Sequence, residues 1–473
     1  FSQDNEFINQ MSLNGLYTLG HSLLDVYNRK DRTSLWKEQI PQEESQQRVR
    51  DLLLAPGEVL VNKEFNTLAR VQNKIENTLQ LTKNATPPNV VLVLMESFSA
   101  RVVGACGSPN DCTPEFNKLA QDGILFDRAL SSGTHTHQGI FSSNLGFPNL
   151  PGYEYLMKEM VSNQPFTSIS SILKAQGYQT LIFYNSKLSY DNLYGFFRSQ
   201  GIDHFVGKDD FTDPAVFKDK VWGVSDHTLF ERVNQDLDLA SKNGPFFSLI
   251  ITLSNHAPYD LPQPLPFEPS TKYGDDNKRF DGVRYADWAV GQFIQEAKKR
   301  DYFKNTLFVF VGDHGFHIQP VLTETHLLYH HVPLLFYSPT LLSEKNKIVH
   351  EVVSQVNIAP TIFGLLELQV PQACWGANVF STHFNAQNAM AVFKGSGNSK
   401  SIAFIQKNIL LVYGENKHWS TWTFDLGFPP SCQPIEIDPD QQIQMQRNLM
   451  AFVQSATKDL ISHKVGVPSS KTP

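Results

Sequence analysis

Residues 89–95 read Asn-Val-Val-Leu-Val-Leu-Met, an apolar run rich in β-branched residues that ends at once in Glu96. A strand with one wet face alternates apolar and polar residues. A run with no polar break is a strand buried on both faces, as in a parallel sheet covered by helices. The pattern returns at residues 124–126, 180–184, 246–253, 307–311 and 334–337.

Helical stretches lie between these runs. Residues 113–123 place Pro114 in a first turn and Gly123 at the end, residues 169–174 stop before Gly177, and Ser225 precedes a face of Leu229, Phe230, Val233 and Leu237. Ala286, Ala289, Val290, Phe293, Ile294 and Ala297 recur at helical spacing ahead of Lys298-Lys299-Arg300, and residues 359–366 form a later helix. The alternation predicts an α/β fold, with a large mixed, mainly parallel sheet and helices on both faces.

Three regions follow. Residues 1–85 are polar and read as a helical arm or linker, closed by the stiff Thr86-Pro87-Pro88; residues 86–370 form the α/β domain; residues 371–473, with a strand at 409–413 and a polar helix near 441–457, form a small C-terminal α+β subdomain.

Composition sets limits. With 41% hydrophobic and 18% charged residues the 473-residue chain is globular, and a net charge of -7 without basic clusters predicts no nucleic-acid partner. No apolar run is long enough to span a bilayer, and a start at Phe1-Ser2-Gln3-Asp4 lacks a signal peptide, as expected of an excised soluble piece. Cys106, Cys112, Cys374 and Cys432 form no CxxC pair. The favoured expectation is two disulfides, Cys106–Cys112 and Cys374–Cys432; the alternative is four thiols.

In an open α/β sheet reactive groups collect at the carboxyl ends of the strands. Here those ends read Glu96, Asn185, Ser254-Asn255-His256 and Gly312-Asp313-His314-Gly315. Taken singly, Asp-His-Gly is an ordinary turn and Glu96 a helix-start carboxylate; together they make an oxygen and nitrogen ligand set for a borderline divalent ion.

Residues 89–97, the Thr113-Pro114-Glu115-Phe116-Asn117-Lys118-Leu119-Ala120 segment and Val311-Gly312-Asp313-His314-Gly315 resemble, in order and spacing, the signatures of the alkaline phosphatase and sulfatase superfamily. Within it, Ser254-Asn255-His256-Ala257-Pro258-Tyr259 and Tyr190-Asp191-Asn192-Leu193-Tyr194 are similar to segments of lipoteichoic acid synthase-like phosphoglycerol transferases. The resemblance implies Thr136 as nucleophile, with Thr134 next; Glu96, Thr136, Asp313 and His314 as ligands of one divalent ion, Mn or Zn, with Mg possible; and His256 together with His331 or His330 near the substrate phosphate. It further implies transfer of a phosphoglycerol-type headgroup from a lipid or glycan phosphodiester through a phospho-threonine, in an extracytoplasmic domain held to the bacterial membrane by preceding transmembrane helices. A phosphodiesterase or sulfatase-like hydrolase and a non-catalytic lipid-binding domain are the alternatives.

Two departures stand out. Cys112-Thr113-Pro114-Glu115-Phe116 lacks the Arg of an arylsulfatase aldehyde motif, and Leu188 and Tyr190 stand where related synthases carry a Trp and an Arg. His135, His137 and His317 have no expected role.

Overall fold

A computed structural model describes residues 39–110, 112–317, 320–384, 389–397 and 399–468. Helix α1 (Gln42–Leu53) and the antiparallel pair β1 (Glu58–Leu60) and β2 (Arg70–Gln72) precede the main body. The body runs β3 (Asn89–Met95), α2 (Pro114–Gln121), β4 (Gly123–Leu130), α3 (Thr136–Leu145), β5 (Gln179–Tyr184), β6 (His204–Val206), α4 (Asp226–Ser241), β7 (Phe246–Ile251), α5 (Asn277–Ala297), β8 (Thr306–Gly312), β9 (His331–Tyr337), β10 (Lys347–Val349) and β11 (Val353–Ser354). A second sheet, β12 (Met390–Lys394), β13 (Ile402–Gln406), β14 (Ile409–Tyr413), β15 (Trp419–Asp425) and β16 (Ser431–Pro434), leads to α6 (Pro439–Ile461).

The large sheet has nine strands in the order β10-β4-β9-β8-β3-β7-β5-β6, with β11 also on β4. β9 runs against β4 and β8, while the other neighbours are parallel. The expected mixed, mainly parallel sheet is therefore observed. Every residue of β3 is buried because its two faces feed two cores. Val90, Leu92 and Leu94 join Ile140, Phe141 and Leu145 of α3, whereas Val91, Val93 and Met95 join Phe230 and Val233 of α4 and Val290 and Phe293 of α5. Each such side chain contributes about 1.5–3 kcal/mol by leaving water.

Parallel pairing brings the strand ends to one edge. Met95 lies opposite Gly312, Leu94 opposite Ile251, and Ile251 opposite Tyr184. Glu96, Asp313, Thr252 and Asn185 thus emerge side by side.

The second sheet is antiparallel in sequence order and has its own small core, including Ala391, Phe393, Ile405, Leu410 and Val412. Helix α6 returns to α1: Ser45 Oγ lies 2.6 Å from Ser455 Oγ and donates to the Ala451 carbonyl. Residues 42–53 of the expected arm are thus a docked helix, while residues 1–38 lie outside the described residues. Among the described residues no helix is long and apolar enough to cross a membrane.

The expected disulfides are not formed. Cys374 lies in the core beneath α3, with its Sγ 3.9 Å from the Leu145 carbonyl, whereas Cys432 sits on β16 against the separate core of the second sheet. The two belong to different packing units, so their separation in sequence said nothing of a shared neighbourhood. Cys106 and Cys112 border one core without being joined.

Candidate metal centre

Glu96 follows β3 directly, and its backbone N–H donates to Thr252 Oγ1 beyond β7 (2.9 Å). Asp313 follows β8, and its Oδ1 accepts the backbone N–H of Ser97 (2.8 Å) and of His314 (2.6 Å). Ser97 reaches this position at φ +50°, a left-handed conformation unusual for a residue with a side chain and typical of places where function fixes the backbone. Its hydroxyl donates to Glu96 Oε1 (2.8 Å).

His314 Nδ1 donates to the Gly315 carbonyl (2.5 Å). A carbonyl only accepts, so Nδ1 carries a proton there and Nε2 is the ring atom turned to the carboxyl groups. That atom is 3.7 Å from Asp313 Oδ2 and 4.0 Å from Glu96 Oε1. Thr136, the first residue of α3, donates from Oγ1 to Glu96 Oε2 (3.0 Å). Gly139, one turn on, lets α3 approach: a Cβ there would sit 2.4 Å from the Asp313 carbonyl oxygen.

Glu96 and Asp313 are 2% and 1% exposed, and Asp313 Oδ2 is buried without a hydrogen-bond partner among the described residues. Burial, and then the neighbouring Glu96, push the Asp313 carboxyl well above the usual range, against donation from the backbone N–H groups of Ser97 and His314. Two buried carboxyl groups facing one imidazole nitrogen make a site whose like charges a cation would offset. Ligand atoms of Glu96, Asp313 and His314 all lie within 4.8 Å of one another, so the donor set fits a divalent ion.

Supports outside the predicted set hold the centre. Asn255 Nδ2 donates to the carbonyls of Glu96 (3.0 Å) and Ser97 (3.2 Å), and Gln355 Nε2 donates to those of Gly312 (3.0 Å) and Asp313 (2.7 Å). Gln355 carried no sequence signal, because its role depends on where the turn after β11 returns. Beside Thr136, His137 Nδ1 lies 3.1 Å from Asp191 Oδ2, and Lys158 Nζ lies 2.6 Å from Asp191 Oδ1. Burial raises the Asp191 carboxyl, but His137 and Lys158 outweigh burial and hold it below the usual range. His135 precedes α3 with Nδ1 3.0 Å from Thr134 Oγ1, and His317 pairs with His326 at 5.4 Å.

The other expected residues fall differently. Thr134 donates its hydroxyl to Ser396 Oγ (3.2 Å) rather than to the carboxylates. His256 donates from Nδ1 to the Ala257 carbonyl (2.7 Å), and its ring packs against Trp222 at 4.4 Å; Tyr190 packs on the same Trp222 at 5.9 Å. His331 is not brought to the cluster. Its ring is 1% exposed within the sheet, Nε2 donates to the Asp127 carbonyl (2.7 Å), and burial pulls its pKa down to about 4. The bulge in β4 between Phe126 and Ala129, which the sequence did not signal, supplies that carbonyl. His330 is also fully buried, with Nδ1 3.0 Å from the Ser131 carbonyl and its ring against Phe393.

A family profile described as Sulfatase matches residues 88–368. Lipoteichoic acid synthase-like YvgJ of Bacillus subtilis is 25% identical over 301 residues, covering 59% of this chain and 48% of that protein. Phosphoglycerol transferase I of Salmonella paratyphi B is 27% identical over 236 residues, covering 48% of this chain and 30% of that protein. The chain thus spans about half, or less, of the length of these curated relatives. A crystal structure of a protein in the alkaline phosphatase superfamily from Vibrio parahaemolyticus shares the fold with a TM-score of 0.78 at 24% identity, covering 91% of this chain and 98% of that one.

Proposed function

The chain belongs to the sulfatase family, and on that premise we propose that it transfers a phosphoglycerol-type headgroup from a lipid phosphodiester, through Thr136, on the extracytoplasmic side of a bacterial membrane. The observation that carries this reading is the Thr136 hydroxyl at the start of α3, hydrogen-bonded to Glu96 within reach of Asp313 and His314. The names of the relatives, a lipoteichoic acid synthase-like protein and a phosphoglycerol transferase, support the choice of headgroup.

Glu96, Asp313, His314 and Thr136 are the residues that would hold one divalent ion, Mn or Zn with Mg possible; such an ion lowers the pKa of a bound hydroxyl and neutralises phosphoryl charge. The residues of the chain do the rest. The Thr136 proton lies on its hydrogen bond to Glu96 Oε2, leaving Oγ1 as the attacking atom. The backbone N–H groups of Thr136 and His137, which precede the first bonds to the His135 carbonyl, suit the anionic oxygens of the substrate.

A bond forms from Thr136 Oγ1 to phosphorus as the bond from phosphorus to the lipid oxygen breaks. His256, its Nδ1 anchored on Ala257, supplies from Nε2 the proton that the lipid alkoxide takes. In the second step an acceptor hydroxyl attacks the phosphorus, returns a proton to His256 Nε2 and releases the Thr136 oxygen, which regains its own.

The test is turnover of bis(4-nitrophenyl) phosphate and of a fluorescent phosphatidylglycerol with added Mn or Zn, with and without glycerol. Glycerol raising turnover supports a transferase, and turnover indifferent to glycerol makes the protein a phosphodiesterase. Absence of turnover with any divalent ion favours the lipid-binding alternative.

A further inference from the structure

Lys394, the last residue of β12, is 0% exposed, yet no carboxylate lies within ion-pair distance of it among the described residues. Its Nζ donates to the Gly397 carbonyl (2.5 Å), and its backbone N–H donates to the Ser132 carbonyl (3.4 Å). Two residues on, Ser396 Oγ accepts the Thr134 hydroxyl. The turn after β12 is therefore seated on the segment that leads into Thr136, although it comes from the second sheet.

Burying an ammonium without a counter-ion costs free energy, so a chain that keeps one has a use for the charge or tolerates a structural loss. The titratable groups around it are His135 and His330, both of which its charge disfavours from protonating, and Glu154, which favours the ammonium. Burial holds the His330 ring at about 3, so it is neutral at physiological pH, and the buried cation of this turn is Lys394.

We propose that Lys394 is a positioning residue of the second sheet, whose buried positive charge draws the anionic phosphoryl group of the substrate to the start of α3. The charge acts through the interior, where the low dielectric keeps its field strong, rather than by touching the substrate. The inference rests on the phosphoryl-transfer reading for its ligand class, and it predicts that affinity rises with the negative charge of the ligand. Burial pulls the Lys394 ammonium down to about 8, against the pull of Glu154. The attraction is therefore lost as pH rises past about 8.

The experiment uses the full chain loaded with Mn, with inorganic phosphate as the probe in calorimetry. Lys394→Met is expected to melt at or above the wild-type temperature and to bind phosphate about tenfold or more weakly, with a smaller loss for the singly charged bis(4-nitrophenyl) phosphate. Ser396→Ala, which keeps the charge and removes the loop contact, is expected to stay within about twofold. In wild type alone, which needs no variant to fold, phosphate affinity should fall across the window above pH 8, where His330 remains neutral.

Unchanged phosphate affinity in Lys394→Met, an equal loss in Ser396→Ala, or a wild-type affinity flat to pH 10 overturns the proposal. Loss of phosphate affinity in Lys394→Met with no wild-type diester turnover upholds it while removing the transfer reading. Diester turnover with phosphate affinity intact in Lys394→Met does the reverse.

Discussion

Thr136 Oγ1 and Glu96 Oε2 lie 3.0 Å apart although 40 residues separate them in the chain. One is the first residue of a buried helix and the other follows the central strand, so the contact exists only when α3 lies across the carboxyl edge of the sheet. Gly139 permits that approach.

If Thr136 is the nucleophile, Thr136→Ala should lose about three orders of magnitude or more in kcat/KM, as removal of a covalent nucleophile does elsewhere. Thr136→Ser should keep part of the activity, since the hydroxyl remains while its rotamer is less restricted. Thr134→Ala, whose hydroxyl faces Ser396 and His135, should lose less than about tenfold. Mass spectrometry of quenched wild type should find phosphoglycerol on the peptide containing Thr136. Activity in Thr136→Ala with none in Thr134→Ala would move the nucleophile by two residues.

Asp313→Asn should abolish metal uptake by elemental analysis. A ligand at a hundredfold excess over its Kd stabilises a fold by about 2.7 kcal/mol, so the wild-type melting temperature should rise on adding metal while that of Asp313→Asn stays flat. In chelator the variant should melt at or above wild type, because it removes a carboxyl whose charged form burial and Glu96 disfavour. Full metal occupancy in the variant would contradict the ligand assignment.

Thiol titration of the denatured, unreduced protein should count all four cysteines, since none is in a disulfide. Reductant should leave the melting temperature unchanged, and a count of zero would contradict the structure.

Asp287 on α5 accepts the backbone N–H groups of Glu115 (2.9 Å) and Phe116 (2.7 Å) in the first turn of α2, yet burial pushes its carboxyl up to about 7. The folded state therefore holds this proton to higher pH than the unfolded chain. The stabilisation is complete below the unfolded value of 3.8 and fades as pH rises through about 7. Chemical denaturation at several pH values should show Asp287→Asn with a flatter pH dependence than wild type between about 4 and 7; parallel curves would refute the assignment.

The strands and their ends were legible because β3, β7, β8 and β9 are buried on both faces, and a strand with no wet side has no polar residue to blur its pattern. That placed Glu96, Asp313 and His314 at strand ends, and parallel pairing made those ends neighbours. What lies across the strands was not legible. The pattern of burial is a property of each segment, whereas the side-chain partners of Gln355, His331 and Cys374 belong to segments tens to hundreds of residues away. The resemblance left His331 or His330 near the substrate, and both rings are buried on backbone carbonyls, that of His331 on the Asp127 carbonyl at the β4 bulge. The second sheet is the small C-terminal unit that the sequence implied, and the turn after its β12 also touches the entry to α3, a contact the sequence did not signal. By itself the sequence determined which segments are buried and which polar groups end them, because burial is written in local periodicity. Only the tertiary structure decided which of those groups meet, because hydrogen bonds and charges act over a few ångströms of space and are indifferent to distance along the chain.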